Sequence, residues 1–199
     1  MEGDPLSPSD LPPKQHNWLP RLTPAAYRGF AAVHWQMTID QRRQGWLTAE
    51  FHLRFREVLL HTLSRHDLIS PIYCLMPDHM HLLWMGISHD SDQKNAARFF
   101  RRHVNTLLDQ SLTGTRFQQQ AYDRVLRQSN TGPDAVRELA HYIQQNPVRA
   151  KWVQRPQDWP CLGSMIPGYP TLHPLDDEFW TRFWKIRSRQ ISNAQTPPP

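Results

Sequence analysis

The chain has 199 residues, 39% of them hydrophobic, and its 23 Lys and Arg against 18 Asp and Glu give a formal charge of +5. That length suggests one domain with appendages, and the apolar runs, all short and broken by Arg, His or Asp, exclude a membrane helix of about 20 residues. Two cysteines, Cys74 and Cys161, are too few for a disulfide framework or a four-cysteine zinc site.

Proline divides the chain. Six of the 18 prolines fall between Pro5 and Pro24, two between Ala25 and Gly132, and ten from Pro133 onward. Residues 1–24 therefore read as a Pro-rich, mostly disordered extension, 25–162 as the compact domain, and 163–199 as an irregular tail with one aromatic stretch, EFWTRFW. The start, MEGDPLSPSD, has no basic segment followed by an apolar one, so a cytoplasmic protein is expected.

In chain order, GFAAVHWQMTI (29–39) is aromatic, β-branched and apolar enough for a strand, and a polar turn with Gly45 follows. In TAEFHLRFREVLLHTLSRH (48–66), Phe51, Phe55, Val58, Leu59 and Thr62 recur at spacings of three and four behind Thr48, a candidate N-cap; a helix is predicted. LISPIYCLMP (68–77) and HMHLLWMGI (79–87), separated by Pro77-Asp78, read as an antiparallel hairpin. DQKNAARFFRRHVNTLLDQ (92–110) has a helical apolar stripe with Arg98, Arg101 and Arg102 beside it. FQQQAYDRVLR (117–127) alternates loosely as a fourth strand, and PDAVRELAHYIQQ (133–145) opens on a first-turn proline as a helix that Pro147 stops or kinks. The order β-α-β-β-α-β-α predicts an α+β fold: a ferredoxin-like split βαβ antiparallel sheet with an extra C-terminal helix.

Two features carry chemistry. In PDHMHLLW, His79 and His81 are two apart on a strand, so both imidazoles point to one face while Met80, Leu82 and Trp84 point to the other. They read either as a convergent pair of metal ligands or as histidines satisfied by neighbours. In HYIQQNPVRA, Tyr142 and Asn146 are four apart and share a face if the helix persists to its last turn. They read either as a phenol and an amide serving one site or as an amphipathic core tyrosine and a cap.

The charge has a chemical bias: 19 of the 23 cations are Arg, which binds phosphate bidentately and stacks on flat faces. With 8 Trp, 5 Tyr and 8 Phe, this composition suits a surface that holds a nucleic-acid backbone and stacks its bases. His-hydrophobic-His on a strand, followed by Tyr-Ile-x-x-Asn-Pro-Val-Arg-Ala, resembles the HUH single-tyrosine transposases associated with repetitive extragenic palindromes (REP). CLMPDHMHLLW (74–84), YDRVLR (122–127) and VQRPQDWPCLGS (153–164) extend the resemblance over about Tyr27 to Ser164.

The resemblance implies a metal-dependent endonuclease and strand transferase acting on single-stranded or hairpin DNA, as a monomer or a homodimer, with no membrane partner. Carried over residue by residue, His79 and His81 would be metal ligands, Asn146 the third ligand, and Tyr142 the nucleophile. Two imidazoles and an amide oxygen suit Mg²⁺ or Mn²⁺ with open positions, where a phosphate is polarised. Attack by Tyr142 would give a 5′-phosphotyrosine intermediate. Arg98, Arg101, Arg102, Arg124 and Arg127 are the candidate DNA contacts, positioning a strand through its phosphates. The alternative from another class is a DNA-hairpin-binding protein with no chemistry on the same fold.

Overall fold

The computed structural model describes residues 22–126 and 132–195. After a 3-10 turn at Pro24–Tyr27, the elements are β1 (Ala32–Thr38), α1 (Ala49–Arg65), β2 (Leu68–Met76), β3 (His79–Gly86), α2 (Gln93–Ser111), β4 (Tyr122–Val125), α3 (Pro133–Gln144), α4 (Asn146–Arg149), β5 (Leu162–Met165) and α5 (Phe179–Gln195). The five strands form one sheet in the order β4-β1-β3-β2-β5, with every neighbouring pair antiparallel. Its first four strands are those of the predicted split βαβ pattern, and the α+β class stands.

Local chemistry accounts for the elements. The Thr48 side chain accepts the Phe51 N–H at 3.1 Å, capping α1, and Asp92 does the same for Asn95 at 3.0 Å, capping α2. Pro77 and Asp78 form the two-residue connection of the hairpin, leaving Met76 opposite His79. Pro71 has no N–H to give to a ladder, and the pairing of β2 shifts register beside it, between Ile69 and Ile72 on the β3 side and between Ser70 and Tyr73 on the β5 side. At the far end of β3, Gly86 meets Gly29: a Cβ on Gly86 would lie 1.8 Å from the Gly29 carbonyl oxygen, and Gly29 itself has φ +63°.

Both faces of the sheet are covered. Trp35, Met80, Leu82 and Trp84 pack with Phe51, Phe55, Leu59, Phe100 and Val104 of α1 and α2 in one core. Ala32, Ile72, Leu83 and Met85 pack with Val136, Leu139 and Ile143 of α3 and Phe179 and Phe183 of α5 in the other. Each buried side chain of this size contributes about 1.5–3 kcal/mol, so two filled layers fix which way β3 faces. Met80, Leu82 and Trp84 turn to the first layer as alternation requires, leaving His79 and His81 to the second.

Two expectations are corrected. The tail over 163–199 is not irregular: β5 crosses the predicted domain boundary at residue 162, and α5 is a 17-residue helix. It is helical because Phe179 and Phe183, one turn apart, are buried against the sheet, a non-local gain that its Arg- and aromatic-rich sequence does not advertise. The fourth strand is confined to Tyr122–Val125 rather than 117–127. Phe117 bridges Ile39, and the carbonyls of Gln118 and Gln119 accept from the Arg101 guanidinium, which holds this stretch as a loop. Pro147 ends α3, with α4 restarting at Asn146. The extension predicted over 1–24 lies almost entirely outside the described residues. No helix among the described residues is long and apolar enough to cross a membrane.

Candidate active site

His79 and His81 leave β3 on the face covered by α3, at the hairpin end of the sheet. Their Nε2 atoms are 3.1 Å apart. Each ring is held by its other nitrogen. His79 Nδ1 lies 2.6 Å from Asp78 Oδ1, whose carboxylate also accepts from Arg42 at 2.8 Å. Burial alone would raise the Asp78 pKa, but hydrogen bonds from His79 and Arg42 hold it below the usual carboxylate value. Asp78 is thus an anion that accepts a hydrogen bond from His79 Nδ1, so that a neutral His79 would carry its lone pair on Nε2.

His81 Nδ1 lies 2.9 Å from Nε2 of His34 on β1. Both rings are buried, His34 at 4% and His81 at 2% exposure. Burial, reinforced by the Arg124 charge, lowers the His34 pKa to about 4. Burial and the neighbouring His34, His79 and Arg149 lower that of His81 to about 2. Both are therefore neutral near pH 7, the form in which imidazole ligates. With all three rings neutral, two tautomer sets are consistent with these contacts. In one, His81 donates from Nε2 to His79. In the other it donates from Nδ1 to His34, and the two Nε2 lone pairs face each other, which requires a cation between them.

The second set fits a metal ion. Cis ligands about 2.1 Å from one octahedral ion lie about 3 Å apart, the separation found here. The carboxylate behind His79 and the imidazole behind His81 are the outer partners that orient such ligands. Among the described residues no three His, Cys, Asp or Glu side chains converge as a metal cage, so an ion here would meet two histidines and not a closed structural site.

α3 brings Tyr142 to His81 and its neighbour His34. Its ring centroid is 6.4 Å from those of His34 and His81, edge-on to both, and the side chain is 46% exposed. The Arg149 guanidinium stacks 4.0 Å over the Tyr142 ring, donates to the Tyr142 carbonyl at 3.3 Å, and donates to Asn146 Oδ1 at 2.9 Å. Asn146 Nδ2 in turn donates to the carbonyls of Tyr142 and Ile143 at 3.2 and 3.0 Å. Asn146 therefore closes the end of α3, its amide oxygen engaged by Arg149; among the described residues its side chain has no polar contact with the histidines. Beside Tyr142 opens a cleft of about 310 Å³ lined by His34, Gln36, Tyr122, Arg124 and Glu138.

The five predicted DNA contacts separate. Arg124, opposite His34 in the β1–β4 register, is exposed in this cleft. Arg98, Arg101 and Arg102 lie on α2, across the sheet from Tyr142. Arg101 is committed to the Gln118 and Gln119 carbonyls and the face of Phe117, whereas Arg98 and Arg102 are exposed. Arg127 lies outside the described residues. His34, Asp78 and Arg149 escaped the sequence reading. Asp78 and Arg149 stand inside the motifs that carry the resemblance, next to His79 and three residues after Asn146, but His34 had no signal beyond its place on a predicted strand.

No protein-family model and no curated protein matches the chain. A solved structure of a REP-associated tyrosine transposase bound to a REP hairpin superposes with a TM-score of 0.56 at 21% identity, covering 67% of this chain and 77% of that one. The two chains share a fold: an antiparallel sheet with its helices.

Proposed function

We propose that the chain is a metal-dependent single-stranded DNA endonuclease and strand transferase acting on hairpin-forming DNA. The carrying observation is the approach of Tyr142, on α3, to within 6.4 Å, ring to ring, of His81 on β3, in a fold shared with a transposase bound to a hairpin. A phenol beside neutral, outer-partnered imidazoles is a nucleophile next to a place for a divalent ion.

In the proposed reaction the Tyr142 oxygen attacks the phosphorus of a phosphodiester. A phosphotyrosyl bond forms, the bond from phosphorus to the 3′-oxygen breaks, the phenolic proton is lost and the departing 3′-oxygen gains one. A second 3′-OH reverses the step and joins strands without an external energy source. Arg149 orients the Tyr142 ring, and Arg124 meets strand phosphates at the cleft. His79 and His81 would hold Mg²⁺ or Mn²⁺, which supplies neutralisation and polarisation of the scissile phosphate. Asn146 joins them as a third donor only on releasing its amide oxygen from Arg149.

Incubation with a palindromic hairpin oligonucleotide and Mn²⁺ should give a covalent protein–DNA adduct on a denaturing gel, absent in Tyr142→Phe. An adduct that survives that substitution overturns the nucleophile. Metal-independent hairpin binding with no adduct would mark a binding protein instead.

A further inference from the structure

Two further openings lie beyond the cleft beside Tyr142. One, of about 220 Å³, lies between α2 and the loop before β4 and includes Lys94, Arg98, Gln119 and Ala121. The other, of about 350 Å³, lies on the outer side of α1 and α2 and includes Arg65, Arg98, Phe99 and Arg102. Arg98 borders both. The first ends at Ala121, whose chain neighbour Tyr122 lines the Tyr142 cleft on the opposite face of the edge strand β4. The three openings thus form one row that passes over the β4 edge.

The row has one charge sign along most of its length. Arg65, Arg98 and Arg102 are exposed and make no ion pair among the described residues. Arg98 and Arg102 are one helical turn apart, about 6 Å along the axis. Arg65 and Arg102 flank the Phe99 ring at 5.6 and 5.8 Å. On the cleft side Arg124 is exposed and Tyr122 is 48% exposed. Glu138 is the one acid lining the three openings. Exposed guanidinium groups along the row and the exposed Tyr122 ring at its cleft end offer a single nucleic-acid strand cations for its phosphates and a face for a base.

We propose that this row is a track for single-stranded DNA. The strand runs along Arg65, Arg102 and Arg98 on the α2 face, turns over the β4 edge and stacks on Tyr122 before reaching Tyr142. The track rests on the proposed reaction for its direction, since Tyr142 is its end point. It also gives the α2 arginines a role that their place across the sheet from the histidines would otherwise deny them.

The test is binding of the full chain to fluorescein-labelled oligothymidines of about 8 and about 24 nucleotides, by anisotropy over a salt series. Lengthening the strand should tighten binding, and the Arg65→Glu/Arg98→Glu/Arg102→Glu variant, checked by circular dichroism, should lose that gain. Removing three phosphate contacts should flatten the logarithmic salt slope by about 2. Tyr122→Ala, which leaves the charges in place, should weaken binding about tenfold with an unchanged slope. Unaltered affinity and slope in the charge-reversed variant would overturn the track, whether or not the wild-type protein forms its adduct. Displacement of the strand by polyglutamate as readily as by unlabelled DNA at equal charge would overturn the nucleic-acid assignment. Loss of slope with no wild-type adduct would overturn the reaction and leave the track standing.

Discussion

His34 Nε2 and His81 Nδ1 lie 2.9 Å apart between adjacent strands, both rings buried. A neutral imidazole has one proton, so a partner on one nitrogen decides what the other offers. When His34 accepts from Nδ1, the Nε2 of His81 is left as a lone pair beside that of His79.

His34→Phe keeps the ring volume and removes the acceptor. Mn²⁺ affinity, followed by the magnetic-resonance signal of the free ion, should fall about 10–100-fold, as for loss of an outer-shell partner. An unchanged affinity would separate His34 from the ion site.

Arg149 holds Tyr142 from above and braces the end of α3 through Asn146. Arg149→Ala should slow adduct formation about 10–100-fold, because misplacing a reacting group by about 1 Å costs that order of rate. Arg149→Lys keeps the charge without the planar fork and should recover only part of the loss. Equal single-turnover rates in wild type and Arg149→Ala would remove the positioning role.

His52 lies away from the site, its Nε2 3.1 Å from the Tyr73 hydroxyl, which also accepts from Arg56 at 2.6 Å. Burial, aided by the Arg56 charge, lowers its pKa from 6.5 to about 4. The unfolded chain then binds the proton more readily than the folded one. The contribution is fully present above pH 6.5 and is lost as pH falls toward about 4. Urea unfolding should show stability declining over that window, and His52→Gln should flatten the decline by at most about 1.4 kcal/mol per pH unit. Identical slopes in the two proteins would contradict the assignment.

Gly86→Ala drives a methyl group to 1.8 Å from the Gly29 carbonyl oxygen, a backbone atom that no rotamer change can move aside. Denaturant unfolding should register a loss of about 3 kcal/mol or more, the upper end for overpacking. A loss below about 1 kcal/mol would mean that the two chain segments separate easily.

Much of the scaffold was legible because its signals are local. The period of the apolar residues in 48–66 and 92–110 places α1 and α2 to within a residue or two of their ends. The Pro77-Asp78 pair marks the hairpin turn. The unreadable parts are those whose structure is set by a distant partner. α5 forms because Phe179 and Phe183 reach the sheet, and residues 118 and 119 stay out of β4 because Arg101 occupies their carbonyls.

That His79 and His81 share one side of a strand, and that Tyr142 and Asn146 lie near one helix end, could be read from residue spacing. Those relations follow from side-chain periods of 2 and 3.6 that act over a few residues. Chain folding sets the rest: α3 lies over the histidine face, β1 supplies His34 beside His81, Asn146 is engaged by Arg149, and the α2 arginines stand across the sheet. Strand register and the choice of which face a helix covers depend on contacts between residues far apart in the chain, fixed only when both cores fill.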